Sequence, residues 1–95
     1  MMNKEELYNL AIATYGEKAQ INQGIEEMAE LIQAVNKFHR KPTIENLKNI
    51  AEEIVDVEIM LEQYKIIYAA NPIVEKLKNQ KLQRLVSRLG VKDYD

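Results

Sequence analysis

The sequence predicts an all-α fold, a bundle of four helices that assembles as a dimer or tetramer. Its 95 residues are 46% hydrophobic and 29% charged, with three glycines and two prolines, a composition typical of folded, helix-rich domains rather than disordered chains. Glycine and proline separate stretches of helical periodicity, and no segment alternates apolar and polar residues as a strand does. Because a chain this short buries only a modest core, we expect residues 1–95 to form a single domain that associates.

The first two helices are bounded by Gly16 and by a basic stretch. Residues 3–14 read as a short first helix that ends before Gly16, since glycine is a common C-terminal signal. A second helix is predicted over residues 17–38. It ends in the basic residues 39–42, because cations suit a helix C-terminus and Pro42 disfavours helical backbone at the residue before it.

Two N-cap residues mark the third and fourth helices. Thr43 is a favourable N-cap for a third helix that runs to about Ala70. Asn71 and Pro72 then suit the N-cap and first position of a fourth helix. That helix is predicted to reach Leu89, with Gly90 ending it.

Apolar residues at alternating spacings of three and four predict a packing seam on each long helix. The third helix also carries apolar residues on a second side, and a helix that is apolar on two sides needs several neighbours. We expect some of these neighbours to come from another subunit. The seams are Ile21, Ile25, Met28, Ile32 and Val35 in the second helix, and Leu47, Ile50, Ile54, Val57, Leu61, Tyr64 and Tyr68 in the third.

Two acidic pairs, Glu27 with Glu30 and Glu53 with Asp56, have helical i, i+3 spacing. A hairpin folding back near residues 41–42 would bring Glu30 level with Glu53, and Glu27 level with Asp56. Four carboxylates so close repel one another unless a cation lies among them, and an all-oxygen cluster suits Mg²⁺ or Mn²⁺. Both pairs lie off the apolar seams, so they converge only if the hairpin packs on its acidic flank. The sequence leaves both packings open.

The segments EEMAEL and EEIVDV together resemble the acidic motif of MazG-like, all-α nucleoside triphosphate pyrophosphohydrolases, which is E-x-x-E followed by E-x-x-D. The flanking segments are similar too, with a glutamine-rich lead-in at residues 19–23 and a K-L-x-R segment at residues 81–84. The resemblance extends from about residue 15 to residue 90 and implies a MazG-like helical domain.

This resemblance implies an enzyme that hydrolyses nucleoside triphosphates between the α- and β-phosphates, releasing a nucleoside monophosphate and pyrophosphate. The implied ligands of Mg²⁺, or of Mn²⁺, are Glu27, Glu30, Glu53 and Asp56. The substrate carries about four negative charges, which bare carboxylates would repel. Divalent ions reverse that repulsion and lower the pKa of the attacking water. We expect Glu27 or Glu30 to accept the proton of that water.

Four further side chains are candidates for substrate contacts. Gln20 and Gln23, one turn before the first acidic pair, could hydrogen-bond a base or sugar. Lys81 and Arg84, one turn apart on the fourth helix, could bind phosphate oxygens. The simpler interpretation of Lys81 and Arg84 is a solvated helix face, and at least one of the two glutamines is expected to be simply exposed.

The main alternative is a non-catalytic helical interaction or regulatory module that acts through oligomerisation and uses the same apolar seams. Di-iron carboxylate bundles require Glu-x-x-His, and here no histidine follows a glutamate by three residues. Chorismate mutases need several cations in the core, whereas no arginine precedes Arg40. Either main interpretation predicts self-association.

The expected location is the cytoplasm. There is no cysteine, which fits a reducing compartment, and the N-terminus has no apolar leader segment. No apolar run reaches the roughly 20 residues that a bilayer span requires, so no membrane partner is expected. The net charge of −2 and the absence of a basic and aromatic stripe argue against nucleic-acid binding.

Overall fold

Four helices make up the protein in a computed structural model that describes residues 1–92 and 94. They are α1 (Lys4–Tyr15), α2 (Glu17–Arg40), α3 (Ile44–Ile67) and α4 (Asn71–Leu89). These residues contain no strand, so the predicted all-α bundle is confirmed.

Helix α1 begins with a capping box. The side chain of Asn3 accepts a hydrogen bond from the Glu6 backbone N–H at 2.8 Å, and the Asn3 N–H donates to Glu6 Oε1 at 3.1 Å. This satisfies two backbone donors that a helix start leaves without partners. Gly16 separates α1 from α2 with φ of 93°, a backbone conformation that glycine adopts without a steric penalty.

Helix α3 begins where the sequence predicts, because Thr43 Oγ1 accepts a hydrogen bond from the Asn46 N–H at 3.1 Å. The side chain of Asn46 is buried and donates to the Lys41 carbonyl at 2.8 Å. These two bonds fix the tight connection between α2 and α3, and α2 extends two residues beyond its predicted end, to Arg40.

The connection between α3 and α4 differs from the prediction. Helix α3 ends at Ile67, and the N-cap of α4 is Ala70 rather than Asn71. The chain turns at Ala69, whose φ is 50°, so Asn71 already lies inside α4, followed by Pro72 in its first turn. Gly90 ends α4 as predicted, with a left-handed φ of 68°.

Helices α2 and α3 pack as an antiparallel hairpin, and they pack on the acidic flank. A buried hydrogen bond of 2.7 Å runs from Gln20 Nε2 to Gln63 Oε1, in the same register that sets Glu30 level with Glu53. One row of less exposed residues on α2 follows alternating spacings of four and three, and it faces a row of buried and half-buried residues on α3. The two rows are Gln20, Gly24, Glu27, Leu31, Ala34 and Phe38, and Asn46, Glu53, Val57, Met60 and Gln63.

The predicted apolar seams are therefore mostly not the contact face of the hairpin. Ile25, Ile32 and Leu47 are 55%, 63% and 53% exposed. At the observed contact face Gly24 lies so close to Tyr64, a residue of the predicted α3 seam, that a Cβ at this position would overlap the ring, 2.7 Å from its Cε1 atom. A helix surface without a side chain lets a neighbouring side chain lie directly against the backbone.

Helix α1 packs against both α2 and α3, whereas the backbone of α4 approaches only α3 in the described part of the chain. The radius of gyration is 16.7 Å, compared with about 12 Å for a compact chain of this length. The accessible surface is 7700 Å², compared with about 5,700 Å² for a compact monomer of this mass. The single chain is therefore extended, with more surface than its size requires.

None of the helices in residues 1–92 and 94 combines the length and apolar content needed to span a bilayer.

Candidate metal centre

Three carboxylates from two helices meet in the middle of the hairpin. One carboxylate oxygen from each of Glu27, Glu30 and Glu53 lies within 4.8 Å of the others. Two of these residues lie one turn apart on α2, and α3 supplies the third through the register that the buried glutamine pair fixes. The hairpin thus brings together three of the four carboxylates that the sequence predicts as metal ligands.

Asp56, the fourth predicted ligand, is half-buried one turn after Glu53 on α3 and does not belong to the group within 4.8 Å. Its charge nevertheless acts on that group, because it contributes to the raised pKa of Glu53. Asp56 therefore lies beside the cluster rather than in it.

Two oxygens of the cluster are buried and lack hydrogen-bond partners among the described residues, Glu27 Oε2 and Glu53 Oε2. The other oxygen of Glu27 accepts a hydrogen bond of 2.7 Å from Gln23 Nε2. Buried polar atoms are nearly always paired, and an unpaired one calls for an explanation such as an ion. A cation bound among these carboxylates is one such explanation.

The electrostatics of Glu53 show that its ionised form is disfavoured at this position. Its pKa is raised from 4.5 to about 7, first by desolvation and then by the negative charges of Glu30 and Glu27. A hydrogen bond with Glu30 and the charge of Asp56 raise the pKa further. Without a cation, Glu53 is therefore about half protonated at neutral pH, whereas a bound cation would favour the ionised form.

The chemistry of the donors fits Mg²⁺ or Mn²⁺. All donors are carboxylate oxygens, which hard divalent cations prefer. No cysteine exists in the chain, and the cluster contains no histidine, so softer metals have no matching ligand there. Glu27, Glu30 and Glu53 could hold such an ion, and Asp56 is the nearest further acidic residue of the predicted set.

The predicted substrate contacts lie in different environments. Gln23 is exposed beside Glu27, in a position to reach both solvent and the cluster. Gln20 is buried, and its amide donates to Gln63, so it serves the helix contact. Lys81 and Arg84 are exposed on α4, whose backbone does not approach α2. The structure therefore brings only Gln23 to the carboxylates.

A close contact between Gly24 and Tyr64, which the sequence did not predict, lies beside the cluster. The Tyr64 hydroxyl donates a 2.6 Å hydrogen bond to the Ile21 carbonyl, and its ring lies against Gly24, one turn before Glu27. Burial raises the pKa of Tyr64, and the charge of Tyr68 raises it further. A glycine within a predicted helix was the available signal, since such a residue often marks close packing.

A cavity of about 570 Å³ lies away from the carboxylates, between α1 and the α3–α4 connection. Tyr8, Ile66 and Pro72 are among its lining residues, and none of the three clustered glutamates lines it. The carboxylate cluster is therefore not part of this cavity.

Comparison of the chain with protein-family models, curated proteins and solved structures finds no match.

Proposed function

We propose that this protein is a Mg²⁺-dependent, MazG-like nucleoside triphosphate pyrophosphohydrolase that releases a nucleoside monophosphate and pyrophosphate. The observation that carries the proposal is the pair of buried, unpaired carboxylate oxygens on Glu27 and Glu53, within a cluster built from two helices. The resemblance of the two acidic segments to the MazG-like motif supplies the reaction class.

Within this proposal the bound Mg²⁺ would neutralise the triphosphate and lower the pKa of the attacking water. Glu27 and Glu53 are the holding ligands, because their unpaired oxygens are buried between the helices. Glu30 is exposed, so it can reach a solvent water and accept its proton. Gln23 keeps Glu27 in position through their hydrogen bond.

Substrate contacts and association complete the proposal. Gln23 is the nearest candidate for a base or sugar contact, while Lys81 and Arg84 stay predicted phosphate contacts whose place in the site depends on how copies assemble. Self-association as a dimer or tetramer is part of the same proposal.

The test is pyrophosphate release from a panel of nucleoside triphosphates with Mg²⁺, with Mn²⁺ and with EDTA. We expect metal-dependent release for at least one nucleotide. Glu30→Gln and Glu53→Gln should each lower kcat/KM by at least about 100-fold, which corresponds to about 2.7 kcal/mol of transition-state stabilisation. The matched control is Glu52→Gln, which removes the same charge from an exposed neighbour outside the cluster and should keep near wild-type activity.

Metal binding gives a second readout that does not depend on finding the substrate. Titration calorimetry with Mn²⁺ should show binding to the wild type and to Glu52→Gln, and at least tenfold weaker binding to Glu53→Gln. If the wild type neither binds Mn²⁺ nor releases pyrophosphate, the proposal is overturned.

A non-catalytic interaction module is the second candidate, favoured by the exposed apolar residues of the hairpin such as Ile25 and Ile32. It requires association but predicts no metal-dependent hydrolysis. The two candidates therefore separate on pyrophosphate release alone.

A further inference from the structure

The cavity of about 570 Å³ lies where α1, the end of α3 and the start of α4 meet. Lys4 and Tyr8 line it from successive turns of α1, since residues four apart share one face of a helix. Ile66 lines it from α3, and Asn71 and Pro72 line it from the first turn of α4. Sites for small organic ligands have volumes of about 300 to 1,000 Å³, so this cavity has room for one such molecule.

Part of the cavity lining is aromatic and apolar. Tyr8 is half-buried, and Ile66 and Pro72 line the same space. Tyr8 takes no part in the ring–ring contacts of residues 1–92 and 94, so its ring is available to a ligand. Flat heterocycles such as nucleobases stack on aromatic side chains. The lining therefore favours a ligand that carries a heterocyclic ring.

Several polar side chains of the cavity have no partner within the described part of the chain. Lys65, which also lines the cavity, is different because it forms ion pairs with Glu62 at 3.4 Å and with Glu75 at 3.9 Å. The unpaired groups comprise one cation, one anion and two groups that both donate and accept hydrogen bonds. They are the Lys4 ammonium, the Glu5 carboxylate, the Tyr8 hydroxyl and the Asn71 carboxamide.

We propose that this cavity binds a nucleoside monophosphate. The ring of Tyr8 stacks on the base, and the carboxamide of Asn71 binds the base edge, as asparagine does with adenine. Lys4 binds the phosphate. Glu5 accepts hydrogen bonds from the ribose hydroxyls, as acidic residues do in dinucleotide-binding folds. The aromatic ring and each charged or amide group thus meet a matching part of one ligand.

Smaller ligands match only part of this lining. Inorganic phosphate would use Lys4 and leave the ring of Tyr8 and the carboxamide of Asn71 without a contact. An aromatic amino acid would match the ring and the two opposite charges. It lacks the adjacent donor and acceptor that a base edge presents to a carboxamide.

The cavity is separate from the candidate metal centre, because Glu27, Glu30 and Glu53 do not line it. The proposal therefore requires neither a metal nor hydrolysis. A nucleoside monophosphate is also the product class of the proposed reaction, so the test has to separate the two places. The carboxylates of the cluster repel a phosphate unless a cation is bound, whereas the cavity should bind its ligand in EDTA.

The test is an NMR chemical-shift titration of the full chain in EDTA. The ligands are the four common ribonucleoside monophosphates, the matching nucleosides, inorganic phosphate and tryptophan. At least one monophosphate should bind with a Kd below about 1 mM, and it should shift the amides of residues 4–8 and 69–71 most. Its nucleoside, inorganic phosphate and tryptophan should each bind at least about tenfold more weakly, because each makes only part of the contacts.

Two matched pairs of variants locate the phosphate and the base. Lys4→Gln should weaken monophosphate binding by at least about fivefold through loss of the charged contact. Lys18→Gln, which neutralises an exposed lysine of α2 outside the cavity, should leave binding unchanged. Tyr8→Leu should weaken binding by at least about fivefold through loss of stacking. Tyr15→Leu, at an exposed position at the end of α1, should not.

Two further variants guard against a merely structural effect. Tyr8→Phe keeps the ring and should bind the monophosphate within about threefold of the wild type, because stacking needs no hydroxyl. Glu53→Gln changes the cluster and should bind it as the wild type does. If the spectrum of Tyr8→Leu shows an unfolded chain, Lys4→Gln and the positions of the shifted amides decide.

The cavity proposal is overturned if no monophosphate binds the wild type in EDTA, or if Lys4→Gln and Tyr8→Leu bind it as the wild type does. Inorganic phosphate or tryptophan that binds as tightly as the best monophosphate also overturns it, as do shifts centred on Glu27 and Glu53. The proposed function fails independently. A chain that releases pyrophosphate with Mg²⁺ but binds no monophosphate in EDTA contradicts only the cavity, whereas binding in EDTA without metal-dependent release contradicts only the enzyme.

Discussion

At the scale of single residues, Glu53 links the site to the stability of the metal-free protein. Its pKa of about 7 in the folded chain lies above the ordinary value of 4.5, so between these pH values the folded state binds more protons than the unfolded state. Stability contributed by this residue is therefore present below pH 4.5 and is lost as the pH rises to about 7. Glu53→Gln cannot titrate at this position, so it should lack this loss.

The measurement is urea unfolding in EDTA at pH 5 and pH 8, at one fixed protein concentration. We expect Glu53→Gln to be more stable relative to wild type at pH 8 than at pH 5. The difference between the two proteins in the free energy of unfolding should therefore shift in favour of the folded variant as the pH rises. Glu52→Gln, which changes an exposed neighbour, should keep the wild-type pH dependence. The same pH dependence in wild type and Glu53→Gln would show that desolvation and neighbouring charges do not act on Glu53 as described.

The individual residues also show what could be read from the sequence. The spacing of the two acidic pairs on either side of the turn at residues 41–42 predicted that Glu30 and Glu53 lie level with each other. Their carboxylates do lie close together in the cluster. The separation of Asp56 depends on side-chain direction within a turn of helix, which spacing does not specify. The burial of Gln20 required knowing that Gln63 faces it.

At the scale of helices, the buried glutamine pair fixes the register of α2 against α3. Gln63→Leu should destabilise the protein by about 1–3 kcal/mol, because it leaves the Gln20 amide buried without its partner. The double change Gln20→Leu with Gln63→Leu should recover most of that loss, since replacing both partners with apolar groups can be nearly neutral. Urea unfolding of the two single variants and the double variant measures the coupling. If the loss of stability in the double variant equals the sum of the losses in the two single variants, the hydrogen bond does not couple the two residues.

The helices were predictable to within a few residues because their boundaries carry local signals. Thr43 begins α3 through its side-chain hydrogen bond, and Gly90 ends α4 through its left-handed backbone; the structure confirms both predictions.

The contact face was not predictable in the same way. Apolar periodicity identifies which side of a helix avoids water, but it does not say whether the same chain or another copy covers that side. In this hairpin Tyr64 of the predicted α3 seam packs against Gly24, whereas Ile25 and Ile32 of the α2 seam stay exposed.

At the scale of the whole molecule, α4 is the least supported helix. Within residues 1–92 and 94, its backbone approaches α3 alone, and an ion pair of 3.9 Å between Lys65 and Glu75 joins the two helices near their connection. Amides of α4 should therefore exchange with solvent faster than those of α2 and α3, because local opening exposes little packed surface. Hydrogen exchange read by mass spectrometry tests this. Equal protection of α3 and α4 would show that α4 is packed in the assembly.

The direction of α4 was beyond sequence reasoning. It is set at Ala69, whose positive φ is adopted by a residue type that gives no turn signal. The predicted phosphate contacts Lys81 and Arg84 depend on that direction, whereas the three clustered glutamates depend only on the hairpin.

The fixed register of the hairpin limits how its sequence can change length. One extra residue inserted between Gln20 and Glu30 would rotate every later side chain of α2 by about 100°, moving the glutamates out from between the helices and turning apolar residues toward α3. Seven extra residues in both α2 and α3 would preserve both faces. Insertions or deletions other than matched changes of seven residues should therefore disrupt the two long helices.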